Sequence, residues 1–151
     1  MLTDCPEDVA AMDKMVKFHF DIDGENFTSA GEASVRIKKL LREMGFSAET
    51  IRRVSVAMYE GEINMVIHAN GGTADVSVYS DHIEIVLADN GPGISDIDLA
   101  MQAGYSTAPD NIRSLGFGAG MGLPNMKKYT DNMKIESEVG KGTTIYMTVN
   151  V

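Results

Sequence analysis

The chain has 151 residues, of which 44% are hydrophobic and 23% charged, enough for one globular domain with a real core. Its net charge of −9 argues against a nucleic-acid partner, since phosphate backbones need a basic surface. There is no apolar run for a bilayer, no signal-like start and a single cysteine, Cys5, so a cytoplasmic protein with no membrane partner is expected.

Residues 1–15 read as a loose leader carrying Asp4, Glu7, Asp8 and Asp13, ahead of one domain over 16–151. Val16, Phe18, Phe20 and Ile22 alternate with polar residues, which is strand period. Ser29 is placed to cap a helix over 29–44, with Ala30, Ala33, Ile37, Leu40, Leu41 and Met44 on one side and Gly45 as its stop. Ser47 caps a second helix that runs to about residue 69 and ends at Asn70-Gly71-Gly72. Two alternating runs, 73–79 and 83–88, form a hairpin around Ser80-Asp81-His82. Residues 91–117 hold one short helix near 96–103 and are otherwise loop. A helix over 123–130 follows, then strands over 134–139 and 143–149 joined at Gly140-Lys141-Gly142. This order predicts an α+β, two-layer sandwich. Its sheet is mixed but mostly antiparallel, with helices packed on one face.

Three segments carry chemistry. On the second helix, Ile51, Val54, Met58, Met65 and Val66 share one side, and Val56, Ile63 and Ile67 flank it. A helix this apolar is largely buried. Yet Arg53, Glu60, Asn64 and His68 fall in a stripe roughly 80° wide. Glu60 and Asn64 lie one turn apart on the same face. A carboxylate beside an amide on a buried helix suits a cation or a ligand. Glu62 projects onto the apolar side, against the pattern.

The second segment is Asp89-Asn90-Gly91-Pro92-Gly93-Ile94 at a strand end. Glycines there let backbone approach a ligand, and a carboxylate can accept a hydrogen bond from the amino group of adenine. The third is Gly116-Phe117-Gly118-Ala119-Gly120-Met121-Gly122-Leu123, with a helix after it. Glycines before a helix expose N–H groups to phosphate. The spacing fits neither a Rossmann fingerprint nor a Walker loop.

Together, Glu60-x-x-x-Asn64, Asp89-x-Gly91-x-Gly93 and Gly118-x-Gly120-x-Gly122-Leu123 resemble the N, G1 and G2 boxes of the GHKL, or Bergerat-fold, ATPases. The resemblance covers about residues 16–151 and is closest to the anti-sigma regulatory factors with serine/threonine protein kinase activity. Gly104-Tyr-Ser-Thr107 and Ser137-Glu-Val-Gly-Lys-Gly-Thr143 resemble the switch-kinase branch. The resemblance implies ATP or ADP with magnesium. It makes Asn64 the magnesium ligand and Glu60 the general base. Asp89, with Gly91, Gly93 and Ile94 beside it, holds adenine. Gly118, Gly120, Met121, Gly122 and Leu123 wrap the phosphates, and Thr143 or Thr144 supports Asp89 through water. Arg113 is a candidate γ-phosphate contact, though it lies further upstream than the arginine some of these kinases carry. The loop over 104–120 is expected to close over phosphate. The implied partners are a sigma factor or other regulatory protein, an antagonist protein as phosphate acceptor, and a second copy of the chain. The alternatives are a nucleotide-dependent binding module with little phosphotransfer, or a plain ATPase.

Overall fold

The computed structural model describes residues 15–25, 30–102 and 122–151. Among them are five strands, β1 (Val16–Asp23), β2 (Gly71–Val78), β3 (His82–Asp89), β4 (Asn132–Glu138) and β5 (Gly142–Asn150). Four helices accompany them: α1 (Glu32–Glu43), α2 (Ala48–His68), α3 (Ile97–Ala100) and α4 (Gly122–Lys128). The strands form one sheet in the order β1-β2-β3-β5-β4. Every pairing is antiparallel, so the expected mixed character is absent among the described residues.

The pleat sorts the sheet into two faces. Ala74, Val76, Val78, Ile83, Ile85, Leu87, Ile145, Met147 and Val149 are buried on one face. They pack with Ile37 and Leu41 of α1, Val54 and Met58 of α2, and Leu123 and Met126 of α4 in one core. Phe18, Phe20, Ile22, Met133 and Ile135 extend that core to both edge strands. The opposite face carries His19, Asp75, Glu84, Lys134, Glu136 and Tyr146, none of them buried. Each fully buried Val, Met or Ile contributes about 1.5–3 kcal/mol, so the sheet–helix layer is the main source of stability.

Helix α2 begins as its sequence indicates. The Ser47 hydroxyl accepts the Thr50 N–H at 3.2 Å. Its apolar side, from Ile51 through Val66, is buried. Asn70, in the left-handed region at φ 59, turns the chain into β2.

Helix α1 differs from expectation. Ser29 falls outside the described residues, and the N-cap is Gly31, which offers no side chain. Glu62 of α2 supplies the acceptor instead, taking the N–H groups of Gly31, Ala33 and Ser34. Its place on the apolar side is thereby explained: it caps a neighbouring helix from inside the core. Met44, expected on the packed side, is exposed because it follows the last turn of α1.

Candidate functional site

The polar stripe of α2 does not face solvent. It is a seam against α4 and the residues just after it. Arg53 donates to the Tyr129 carbonyl at 3.3 Å and to Asp131 at 2.8 Å. Arg52 lies over the Tyr129 ring, 5.1 Å from its centroid. One end of the seam is therefore fixed by charge and stacking. The Asn150 N–H, ahead of Arg53, holds the Asp131 carboxyl below the usual carboxylate range.

Further along the seam, Glu60 is half-buried and accepts a hydrogen bond from the Asn125 side-chain amide at 3.1 Å. Among the described residues no cation pairs with Glu60, so its charge stays available for chemistry. One turn on, Asn64 lies against Gly122. A Cβ at Gly122 would stand 2.9 Å from Asn64 Oδ1, so any larger residue there would press on the Asn64 amide. His68 continues the stripe, and burial lowers its pKa below 6.5.

Asp89 ends β3 directly opposite Thr143 of β5. Its Oδ1 accepts the Gly91 N–H at 2.9 Å and the Thr143 N–H at 3.2 Å. Among the described residues Oδ2 accepts nothing, so one oxygen is structural and the other is open to a donor. Thr143 thus supports Asp89 directly by its backbone N–H. Its hydroxyl, 2.8 Å from the Ser137 hydroxyl, is engaged elsewhere. Thr144 belongs to the opposite pleat, level with Ala88 and Glu136. Of the two threonines, only Thr143 shares the side of Asp89.

The turn after Asp89 is laid onto the β4–β5 hairpin. Ile94 N–H donates to Ser137 Oγ at 2.7 Å, and Gly140 N–H to the Pro92 carbonyl at 2.8 Å. Gly93 has φ +80, and a Cβ there would collide with the Glu138 carbonyl. Ser137, which opens the family-like stretch to Thr143, therefore fixes this turn, a role not among those expected of it. Its hydroxyl meets Ile94, Gly142 and Thr143 at once.

A cavity of about 450 Å3 adjoins Asp89, lined in part by Thr73, Ala88, Thr144, Glu136 and Lys141. Thr73, Ala88, Thr144 and Glu136 form one row across the face away from the helices. Neither Glu60 nor Asn64 lines it, so it is separate from the place where those two converge.

Gly118, Gly120, Met121 and Arg113, with the expected closing loop, lie outside the described residues. The remaining residues fit a nucleotide with magnesium. Asp89 offers one free carboxylate oxygen beside a glycine turn. Asn64 offers a single amide oxygen. Among the described residues no cluster of three His, Cys, Asp or Glu forms a protein-only metal cage. A magnesium ion held at Asn64 would take its other ligands from phosphate and water, as is usual for this ion.

A helix bearing Glu60 and Asn64, an aspartate at a strand end and a glycine turn, on an antiparallel sheet, define a Bergerat-type ATPase. The chain belongs to the family of histidine kinase-, DNA gyrase B- and HSP90-like ATPases, whose pattern matches residues 50–151. It is similar to the anti-sigma F factor of Clostridium acetobutylicum, at 34% identity over 137 residues, 87% of this chain and 89% of that protein. It is also similar to the serine/threonine-protein kinase RsbT of Bacillus subtilis, at 30% over 112 residues, 72% of this chain and 78% of that one. Among solved structures, the RsbU and RsbW domains of Rv1364c from Mycobacterium tuberculosis share the fold. The TM-score is 0.61 at 17% identity, over 89% of this chain and 32% of that chain. No described helix is long and apolar enough to cross a membrane.

Proposed function

We propose that this chain is an ATP-binding regulator of the anti-sigma type that transfers the γ-phosphate of ATP to a serine or threonine of an antagonist protein. The observation that carries this reading is the pair on α2. Glu60 stands one turn before Asn64, held by an amide and free of any cation among the described residues. A carboxylate so placed can take the proton of an incoming hydroxyl. The hydroxyl oxygen then bonds to the γ-phosphorus, the bond to the β–γ bridging oxygen breaks, and ADP leaves. Magnesium, when bound at Asn64, would offset charge on the phosphates. Phosphoryl transfer asks for such positioning and charge neutralisation more than for covalent help. Asp89 selects adenine through its open oxygen. The names of the similar proteins support a sigma factor or its antagonist as the class of partner. A cytoplasmic location follows from such a partner.

The test is transfer of label from γ-labelled ATP to candidate antagonist proteins, analysed for phosphoserine and phosphothreonine. Label on the partner, lost in Glu60→Gln, is the expected result. ATP-dependent partner binding without labelling would replace the kinase by a binding module. Release of phosphate to water alone would leave an ATPase.

A further inference from the structure

Helices α2 and α4 run antiparallel along the seam. Arg53 meets Tyr129 and Asp131 beyond the C-terminal end of α4, Glu60 meets Asn125, and Asn64 meets Gly122 at its start. The two α2 residues are four apart and their α4 partners three apart, so each pair occupies one turn of both helices. Chemistry fixes the direction of the middle contact. An ionised carboxylate has no proton to give, so the Asn125 amide nitrogen must face Glu60.

We propose that Asn125 is the positioning residue for Glu60. Its amide holds Oε2 and leaves Oε1 to face the hydroxyl or water whose proton is taken. This rests on the reading of Glu60 as the base. A glutamate side chain has several rotamers, and a base is effective only within hydrogen-bond reach of its proton. Asn125 can hold it because α4 is itself fixed. Leu123 and Met126 on α4 are buried in the core. The Arg53–Asp131 pair clamps the chain just past it. The contact also ties the base to the helix that follows the second glycine loop. A displacement of α4 along α2 therefore moves the base as well.

The experiment uses the full chain with ATP and magnesium, and as acceptor the antagonist protein that it labels, or water if it labels none. It compares the wild type with Glu60→Gln, Asn125→Leu, Asn125→Asp and the double variant Glu60→Gln/Asn125→Leu. Asn125→Leu is expected to lower kcat about 10-fold and to leave the Kd of magnesium-ATP within about twofold. In the Glu60→Gln background the same change should cost nothing further, because the two residues act as one unit. Asn125→Asp keeps the shape but sets a second carboxylate beside Glu60. The acid limb of its pH–rate profile should move up by about one unit. That shift would identify Glu60 as the titrating base. A merely structural asparagine would lower the unfolding midpoint of Asn125→Leu and leave kcat per folded molecule unchanged. Full kcat in Asn125→Leu, with Glu60→Gln inactive, would overturn the positioning role and leave the base intact. Turnover retained in Glu60→Gln, or absent from the wild type, overturns the base and the positioning role together.

Discussion

The carboxylate of Glu62, on α2, accepts the backbone N–H of Ser34, on α1, at 2.8 Å. Gly31 and Ala33 donate to the same carboxylate, each at 3.1 Å. A helix start leaves four N–H groups without partners, and its dipole favours an anion there. Glu62 meets both needs while only 1% exposed. Burial pushes its pKa up, and the three N–H donors oppose that push.

Removing this acceptor should unfold the contact between α1 and α2. Glu62→Ala orphans three N–H groups in the core and should cost on the order of 3 kcal/mol. Glu62→Gln keeps one acceptor oxygen but turns an amide donor toward other donors, so about 1–2 kcal/mol is expected. Urea unfolding measures both. Turnover per folded molecule should stay unchanged, because Glu62 faces α1 and not the seam. Loss of turnover in Glu62→Gln at unchanged stability would transfer the role of base from Glu60 to Glu62.

Two histidines should make stability depend on pH in opposite senses. His19 bridges Asp75 at 2.7 Å and Asp21 at 3.2 Å, and the Asp75 hydrogen bond leads in raising its pKa above 6.5. Its contribution is present below pH 6.5 and fades as pH rises through the folded value. His68 is the reverse: burial lowers its pKa, so its contribution is present above pH 6.5 and fades as pH falls through the folded value. Thermal unfolding of His19→Gln should show a larger deficit near pH 6 than near pH 8. His68→Gln should flatten the decline on the acid side. Parallel curves for the wild type and both variants would contradict these assignments.

Asp89 divides its two oxygens between fold and ligand, and Asp89→Asn separates the two. The amide oxygen can still accept from Gly91 and Thr143, so stability should change little. The outward atom becomes a donor, which opposes the amino group of adenine. ATP affinity should fall by about 10²-fold. The wild type should bind ATP and ADP far more tightly than GTP, whose carbonyl has no proton for Asp89. Calorimetry with each nucleotide decides the matter, and equal affinity for GTP would end the adenine assignment.

The sheet and its faces were legible because alternation in β1, β2, β3 and β5 is nearly unbroken. The candidate site stood out in the sequence where its residues are rare in their setting: Glu60 and Asn64 on an apolar helix, and Asp89 before glycines. What stayed hidden are contacts between segments distant in the chain. Glu62 was visible as an anomaly, but its donors lie in residues 31–34, and no local rule pairs them. Ser137 was marked by the family-like stretch to Thr143, but its task shows only when the Asp89 turn folds onto it. Asn125 left a faint signal. Gly122 and Asn125 repeat at helical spacing, matching Asn64 and Glu60, but only the packing of α4 on α2 brings the pairs together.

The separate roles of Glu60 and Asn64 give the most demanding test. If both only hold the seam together, replacing either should lower stability and nothing else. Under the proposed function they should differ. Asn64→Ala removes the amide oxygen for magnesium. Binding of ATP should then lose its magnesium dependence, while binding without magnesium stays near the wild type. Gly122→Ala should act the same way from the opposite helix, because the new Cβ presses on the Asn64 amide. Glu60→Gln keeps an oxygen to accept from Asn125 and loses only basicity. ATP should still bind, and turnover should drop by roughly 10²–10⁴. The measurements are nucleotide titrations with and without magnesium, turnover assays, and unfolding midpoints for all three variants. Magnesium dependence that survives in both Asn64→Ala and Gly122→Ala would place the metal elsewhere. If Gly122→Ala alone keeps it, α4 has shifted to make room, and the Glu60–Asn125 contact should weaken with that shift.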